Sequence, residues 1–289
     1  MSMKTKSIAQ QLVTRLNTRS EDYVENTNMM KVKLAEIDKL LDLAEAGGGE
    51  AHHERLAKKG KMPIRERIAN VLDPDSPFLE ISPLAAYGSS YTIGGGAVSG
   101  IGVIAGVECV IFGNDPSVLA GALTPYAAKK WIRSLEVARE NNIPYICFVE
   151  SAGADLRIDP TKVSEPNIGL GHFAETGRAF YDTIELSKMK VPTVCVVFGS
   201  STAGGAYQPG MSDYNIFIKE KSKVFLAGPP LVKMATGEES NSETLIAPTE
   251  PIPLKFLYNL PLYLIILPGL SFVPENNDPI IIEIGRAHV

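Results

Sequence analysis

Two stretches decide the fold: PYICFVESAGADL (144–156) and PTVCVVFGSSTAGGAYQPGMSD (192–213). Each opens on a proline, runs through a short apolar strand and ends in a turn of mostly small residues. Each also follows a helical pattern, TPYAAKKWIRSLEVARENN (124–142) before the first and residues 172–190 before the second. The unit helix, proline, apolar strand, small-residue turn therefore occurs twice, about 50 residues apart. Strands that are apolar on both faces are covered on both faces, so the unit predicts α/β layering. A third strand (216–218) and a fourth (224–227), ending at Gly228-Pro229-Pro230, extend it.

Both turns fall at the C-terminal end of a buried strand, where open α/β sheets place ligands. Glu150-Ser151-Ala152-Gly153-Ala154 closes the first strand and Gly199-Ser200-Ser201-Thr202-Ala203-Gly204-Gly205-Ala206-Tyr207 the second. Small residues admit close approach to the backbone, and glycine reaches positive φ at no steric cost. Two such turns side by side can each aim a backbone N–H at one oxygen. A helix starting after the second adds the positive end of its dipole. Such a pair of donors stabilises an enolate or a tetrahedral oxyanion, by ~3–4 kcal/mol per donor. The same residues also suit tight packing of strand against helix, and spacing alone supports both readings.

No nucleophile accompanies the turns. GSSTAG (199–204) lacks the Gly-x-Ser-x-Gly form of a hydrolase elbow. His52 and His53 are adjacent and His172 stands alone, which suits surface or packing roles rather than metal ligation. Glu150 ends its strand either as a base or as a turn-bonding carboxylate. What remains is oxyanion stabilisation without an obvious base on the chain. Composition is that of a globular protein, 45% hydrophobic and 21% charged. A balance of 28 Lys+Arg against 33 Asp+Glu is too acidic for a nucleic-acid binder. Cys109, Cys147 and Cys195, each in an apolar run, read as reduced core thiols.

Residues 97–113 form two β-type runs with Gly100, Gly102, Gly106 and Gly113, a hairpin or meander. Gly100-x-Gly102-x-x-x-Gly106 misses the dinucleotide fingerprint by one residue and no helix follows, which excludes a Rossmann reading. Upstream, a basic helical stretch between His52 and Leu72 carries Lys58, Lys59, Lys61, Arg65 and Arg67, and DPDSP (73–77) ends it as a turn. Residues 21–46 show helical spacing at Leu34, Ile37, Leu40, Leu41 and Leu43, stopped by Gly47-Gly48-Gly49. Residues 1–20 hold Lys4, Lys6, Arg15 and Arg19 and no acid, which fits a mitochondrial presequence or an exposed helix.

Five stretches together carry a family resemblance: IRERIANVLDPDSPFLEIS (64–82), GIGVIAGVECVIFGNDPSVLAGALTPYAAKKWIRSLEVARENNIP (100–144), FVESAGADL (148–156), FGSSTAGGAYQPGMSD (198–213) and VFLAGPPLVKMATGEES (224–240). Residues 50–240 resemble the N-terminal half of the carboxyltransferase (beta) subunit of biotin-dependent acyl-CoA carboxylases. The form FLAGPPLVKMATGEE is closer to the methylcrotonyl-CoA and geranyl-CoA enzymes than to propionyl-CoA carboxylase. The resemblance implies a single crotonase-like α/β domain, a superhelix of ββα units. It also implies chemistry that answers the missing base. Carboxybiotin, brought by a biotin carboxylase/biotin carrier alpha subunit, releases CO2, and the biotin anion takes a proton from the acyl-CoA. Backbone N–H groups hold the resulting enolate.

By the same resemblance, Gly204, Gly205 and Ala206 match the stretch that receives the thioester oxygen, and Ala152 and Gly153 match the companion turn. The family has Gly-Gly at the latter, so Ala152 is a departure. If that position needs positive φ, alanine costs about 1 kcal/mol there. Residues 157–172 match only loosely, which leaves the acyl chain open. Lys58, Lys61 and Arg65 are candidates for the CoA phosphates, or a solvated helix face. A homo-oligomer, hexameric in the family, is also implied. The alternatives are a crotonase-fold acyl-CoA hydratase or thioesterase, which needs a carboxylate such as Glu150 or Glu185 at Gly204-Gly205, and a non-catalytic acyl-CoA-binding module.

Residues 241–289 fit none of this. They hold 7 of the 20 prolines and 2 of the 25 glycines, and resemble nothing in the family. KFLYNLPLYLIILPGLSFV (255–273) just reaches membrane-span length, but Pro261 and Pro268 argue against a spanning helix. The closing EIGRAHV (283–289) is what the adapter string GAGATCGGAAGAGCACACGTC encodes, so the tail reads as translated non-coding sequence, artefactual or disordered. The expected division is a helical leader (1–49), a carboxyltransferase domain (50–240) and this tail. A mitochondrial-matrix or cytoplasmic location, without membrane or nucleic-acid partners, is expected.

Overall fold

Glycines and prolines set most element boundaries. A computed structural model of the chain describes residues 14–155, 170–218, 221–225, 232–234, 237, 239 and 282–285. The first 13 residues of the leader, the loosely matching 157–169, Gly228-Pro229-Pro230 and the apolar run 255–273 lie outside them. The chain divides after Asp42. The unit before that point carries most of helix α1 (Glu21–Ala46), on which Leu34 and Ile37 are 50% and 43% exposed.

In the unit from Leu43 onward, Gly47 and Gly49 at φ +53 and +83 end α1. A Cβ on Gly48 would overlap the Ser117 carbonyl. The basic stretch is two short helices, α2 (Glu50–Ala57) and α3 (Ile64–Ala69), separated by a loop that ends at Pro63. β1 (Leu79–Glu80), β2 (Ala97–Ile104) and β3 (Val107–Asn114) pair antiparallel. The β2–β3 turn places Ala105 and Gly106 at φ +52 and +77, as a two-residue hairpin requires. Asp73 accepts both of their N–H groups at 2.7 Å.

Helix α4 (Pro125–Asn141) starts on Thr124, whose side chain accepts the Ala127 N–H, and stops at Asn142 in the left-handed region. β4 (Tyr145–Ser151), α5 (Leu170–Lys188) and β5 (Thr193–Thr202) complete the repeated unit as expected. A 3-10 turn over Ala203–Ala206 then leads into α6 (Tyr207–Met211), β6 (Tyr214–Ile218) and β7 (Lys223–Phe225). β3 to β6 run parallel in sequence order, and β7 pairs parallel with β5 beyond the end of β6.

Side chains alternate between the two faces of this sheet. Val110, Phe112, Tyr145, Cys147, Val149, Cys195 and Val197 pack with Trp131 and Leu135 of α4 and Ala179 and Leu186 of α5. Ile111, Ile146, Phe148, Val196 and Phe198 pack on the other face with Ile64 and Ile68 of α3. All three cysteines are free and buried, as expected.

Of the tail, four residues are described. Its described backbone, β8 (Ile282–Gly285), is paired antiparallel with β6. β-Branched residues beside an open strand edge favour such pairing. Among the described residues no helix is long and apolar enough to cross a membrane.

Candidate active site

Three segments meet at the C-terminal ends of the parallel strands. The first follows β3. Leu119, Ala120 and Gly121 stand in succession at φ +50, +52 and +73, so two non-glycine residues are held in the left-handed region. Such conformers cost of order 1–3 kcal/mol each and persist where surrounding structure imposes them. Here the imposing contact is at Gly121, whose Cβ, if it had one, would overlap the Glu150 carbonyl oxygen.

The second segment is the turn after β4, laced to the first through the backbone. The Ala152 N–H donates to the Ala120 carbonyl at 3.1 Å, and the Leu123 N–H to the Gly153 carbonyl at 2.8 Å. The Gly153 N–H donates to Ser151 Oγ at 3.1 Å. Both amides expected to face a ligand from this turn are therefore engaged within the protein, a correction to that expectation. The strain foreseen at Ala152 is also absent: positive φ falls on Gly153, at +94. The glycine is thus at the position that needs it.

The third segment is the turn after β5. Ala203 takes φ +48 and the 3-10 turn begins there. Gly205 rests on the first unit's strand end: a Cβ there would stand 3.0 Å from Ser151 Cβ and 3.2 Å from its Oγ. Ser201 Oγ donates to the Gly205 carbonyl at 2.8 Å, and the Tyr207 N–H also donates to it. The carbonyl side of this turn therefore faces the core, where Ser201 is fully buried. The first amides of a helical segment have no carbonyl a turn earlier within that segment to bond, and in this turn they belong to Ala203 and Gly204. The two turns touch: a Cβ on Gly153 would lie 3.1 Å from the Thr202 carbonyl oxygen and 3.3 Å from Ala203 Cβ. Gly204, Gly205 and Ala206 are thus brought together, with Ala152 and Gly153 alongside as a seat rather than as donors.

Glu150 is not a base at this turn. Successive strand residues point to opposite faces: Ser151 lies under Gly205, while Glu150 lies on the α3 side. There its carboxylate pairs with Lys61 and with Arg67 Nη2, the latter at 2.7 Å. Arg67 also donates Nε to the Met62 carbonyl at 2.8 Å and stacks 4.5 Å above the Phe198 ring. Burial raises the carboxyl's pKa, but Arg67 and Lys61 outweigh it and hold the group below the usual carboxylate range. Glu185, the other candidate, pairs with exposed Lys188 on α5. The hydratase or thioesterase reading loses both of its carboxylates.

The basic candidates are also redistributed. Lys61 is committed to Glu150, and Arg65 forks onto Glu80 at 2.8 and 2.9 Å. Each is already paired with a carboxylate, buried Glu150 for Lys61 and half-buried Glu80 for Arg65. Lys58 is exposed at the end of α2. Lys221, which sequence reading passed over, reaches the Gly60 carbonyl at 3.2 Å and joins Lys58 and Lys59 at this edge. Also missed were Arg67 as the partner of Glu150, Ser201 as the anchor of Gly205, and the 119–121 loop. That loop had a legible sign: VIFGNDPSVLAGAL (110–123) is itself an apolar strand followed by small residues.

A parallel sheet with small-residue turns at its strand ends, and with Glu150 and Glu185 both paired away from them, is the crotonase-like arrangement among the described residues. The chain belongs to the carboxyl transferase domain family, whose model matches residues 55–250. A Mycobacterium tuberculosis protein named "Probable biotin-dependent acyl-coenzyme A carboxylase beta2 subunit" is 50% identical over 234 residues, 81% of this chain and 42% of its own length. The mitochondrial methylcrotonoyl-CoA carboxylase beta chain of Dictyostelium discoideum is 40% identical over 80% of this chain and 38% of its own. Among solved structures, the beta subunit of Pseudomonas aeruginosa geranyl-CoA carboxylase matches with a TM-score of 0.70 and 38% identity, over 81% of this chain and 42% of that one. The chain spans about two fifths of the length of these relatives.

Proposed function

We propose that the chain forms the acyl-CoA side of a biotin-dependent carboxyltransferase acting on a 3-methylcrotonyl-CoA-like thioester. The observation that carries this reading is the pinned Gly205 peptide. With its carbonyl drawn inward by Ser201 and Tyr207, the start of the 203–206 turn is fixed and open beside Gly153. A thioester oxygen placed at the Gly204 amide accepts a bond that strengthens as enolate charge develops, so the turn favours the transition state over the bound substrate. Gly205 and Ala206 hold the turn's shape, and Ala152 and Gly153 form its neighbouring wall.

Carboxybiotin on a partner subunit supplies the CO2 and the base. The residues here suit that division, since Glu150 is tied off by Lys61 and Arg67. Lys58, with Lys59 and Lys221, meets the CoA phosphates as an open cationic edge; Lys61 and Arg65 keep the adjoining loop in place. The relatives' names support the methylcrotonyl or geranyl branch of substrates. Catalysis then requires the alpha subunit that carries biotin carboxylase and biotin carrier functions, the further length found in the relatives, and a hexameric homo-oligomer in the mitochondrial matrix or cytoplasm.

Calorimetry of the 289-residue chain with 3-methylcrotonyl-CoA tests the reading. Binding without hydration of the double bond and without thioester hydrolysis is the expected result. Hydration or hydrolysis would contradict it. Failure to bind any acyl-CoA would also contradict it, and would leave a non-catalytic role.

A further inference from the structure

Resting on that reading, we propose that Glu150 is a positioning residue for the oxyanion turn, acting through a bulge between β4 and β5. The register shows the bulge. Val149 lies opposite Val197, and the next pair is Ser151 opposite Ser201. Two steps along β4 are therefore answered by four along β5. With regular pairing, Ser151 would face Gly199, and Ser201 would lie two residues further along, roughly 7 Å away at 3.3 Å per residue.

Glu150 and its partners occupy this irregularity. A Cβ on Gly199 would stand 2.7 Å from Glu150 Oε1 and 3.0 Å from Cγ, so the side chain lies flat across the glycine. The carboxylate is held there by Lys61 and Arg67, and Arg67 covers the ring of Phe198, the residue before Gly199. On the opposite side, the Glu150 carbonyl abuts Gly121. Bulges redirect the side chains that follow them. Here the consequence is that Ser151 and Ser201 arrive together under Gly205, one as a steric floor and the other as the donor to its carbonyl. The ion cluster on one face of the sheet thus sets the seat of the turn on the other.

The test compares binding of an acyl-CoA thioester with that of its thioether analogue, in which a methylene replaces the carbonyl, by calorimetry on the 289-residue chain. The two probes share every phosphate and adenine contact, so their ratio reads the carbonyl's hydrogen bond alone. The unaltered chain is expected to prefer the thioester by roughly three- to tenfold, the span of one net hydrogen bond. Glu150→Gln is expected to abolish that preference while thioether affinity stays within about twofold. A folded Glu150→Gln protein that keeps the preference, even with a lowered Tm, overturns the inference and leaves Glu150 a purely structural residue. If Glu150→Gln does not fold, Lys61→Met removes the more exposed arm and keeps Arg67. A reduced preference supports the inference, and an unchanged one overturns it. Equal binding of both probes by the unaltered chain overturns the proposed function together with this inference, an outcome distinct from failure of the inference alone.

Discussion

Ser201 Oγ reaches across the start of the 203–206 turn and donates to the Gly205 carbonyl at 2.8 Å. The serine is fully buried, so its hydroxyl is no nucleophile but an anchor. Ser201→Ala removes one of the carbonyl's two donors and leaves the Tyr207 N–H. The expected cost in unfolding free energy is about 1 kcal/mol by urea denaturation, with a weaker preference for thioester over thioether. Full retention of both would contradict the anchoring role.

Gly204 and Gly205 separate by simple sterics. Neither has positive φ. A Cβ at Gly205 would press on Ser151 at 3.0 Å, whereas the nearest atom to one at Gly204 is Leu123 Cδ1 at 4.0 Å. Gly205→Ala is expected to destabilise the fold by about 1–3 kcal/mol, as overpacking does. Gly204→Ala is expected to change stability by no more than about 0.5–1 kcal/mol, in the stabilising direction. Thermal unfolding of the two variants checks the order; a reversal would refute the placement of Gly205 on Ser151.

Gly121→Ala combines two faults. The position has φ +73, and the new methyl would overlap the Glu150 carbonyl. The expected loss exceeds the ~1 kcal/mol of a left-handed alanine alone and approaches the ~4 kcal/mol range of severe core damage. Recovery of soluble protein with an unaltered Tm would show that the loop carries no such constraint.

Stability should depend on pH at both ends of the range. Burial lowers the Lys130 pKa to about 8 from 10.5, beyond what nearby Glu80 restores, while its Nζ donates to the Ala97 carbonyl at 2.6 Å. The unfolded chain then binds this proton more tightly, so stability rises as pH climbs from about 8 to 10.5. Lys130→Met should flatten that rise in urea titrations at pH 8 and 10. Glu150 works in the other direction. Its folded pKa lies below the ordinary 4.5, so its contribution is present above that value and is lost as pH falls through the lower, folded one. Glu150→Gln should remove the corresponding acid-side loss.

Much of the fold was legible because its signals are local. The helix and strand of each repeated unit are marked by apolar periodicity and by Pro144 and Pro192, and the hairpin turn falls on Ala105-Gly106. The site was legible as two small-residue turns, but not that the Ala152 and Gly153 amides are engaged within the protein. That depends on the Ala120 carbonyl, which meets Ala152 only after the sheet forms. The role of Glu150 was equally hidden, since Lys61 and Arg67 precede it by 89 and 83 residues. The bulge opposite Gly199 is a matter of register between two strands, which neither strand's sequence states alone.

In the proposed function the 203–206 turn receives a thioester oxygen. A crystal structure of the chain with a bound acyl-CoA thioester tests it most directly. The carbonyl oxygen is expected about 3 Å from the Gly204 amide nitrogen, beside Gly153, with the CoA phosphates toward Lys58 and Lys221. A thioester carbonyl seated away from this turn would contradict it.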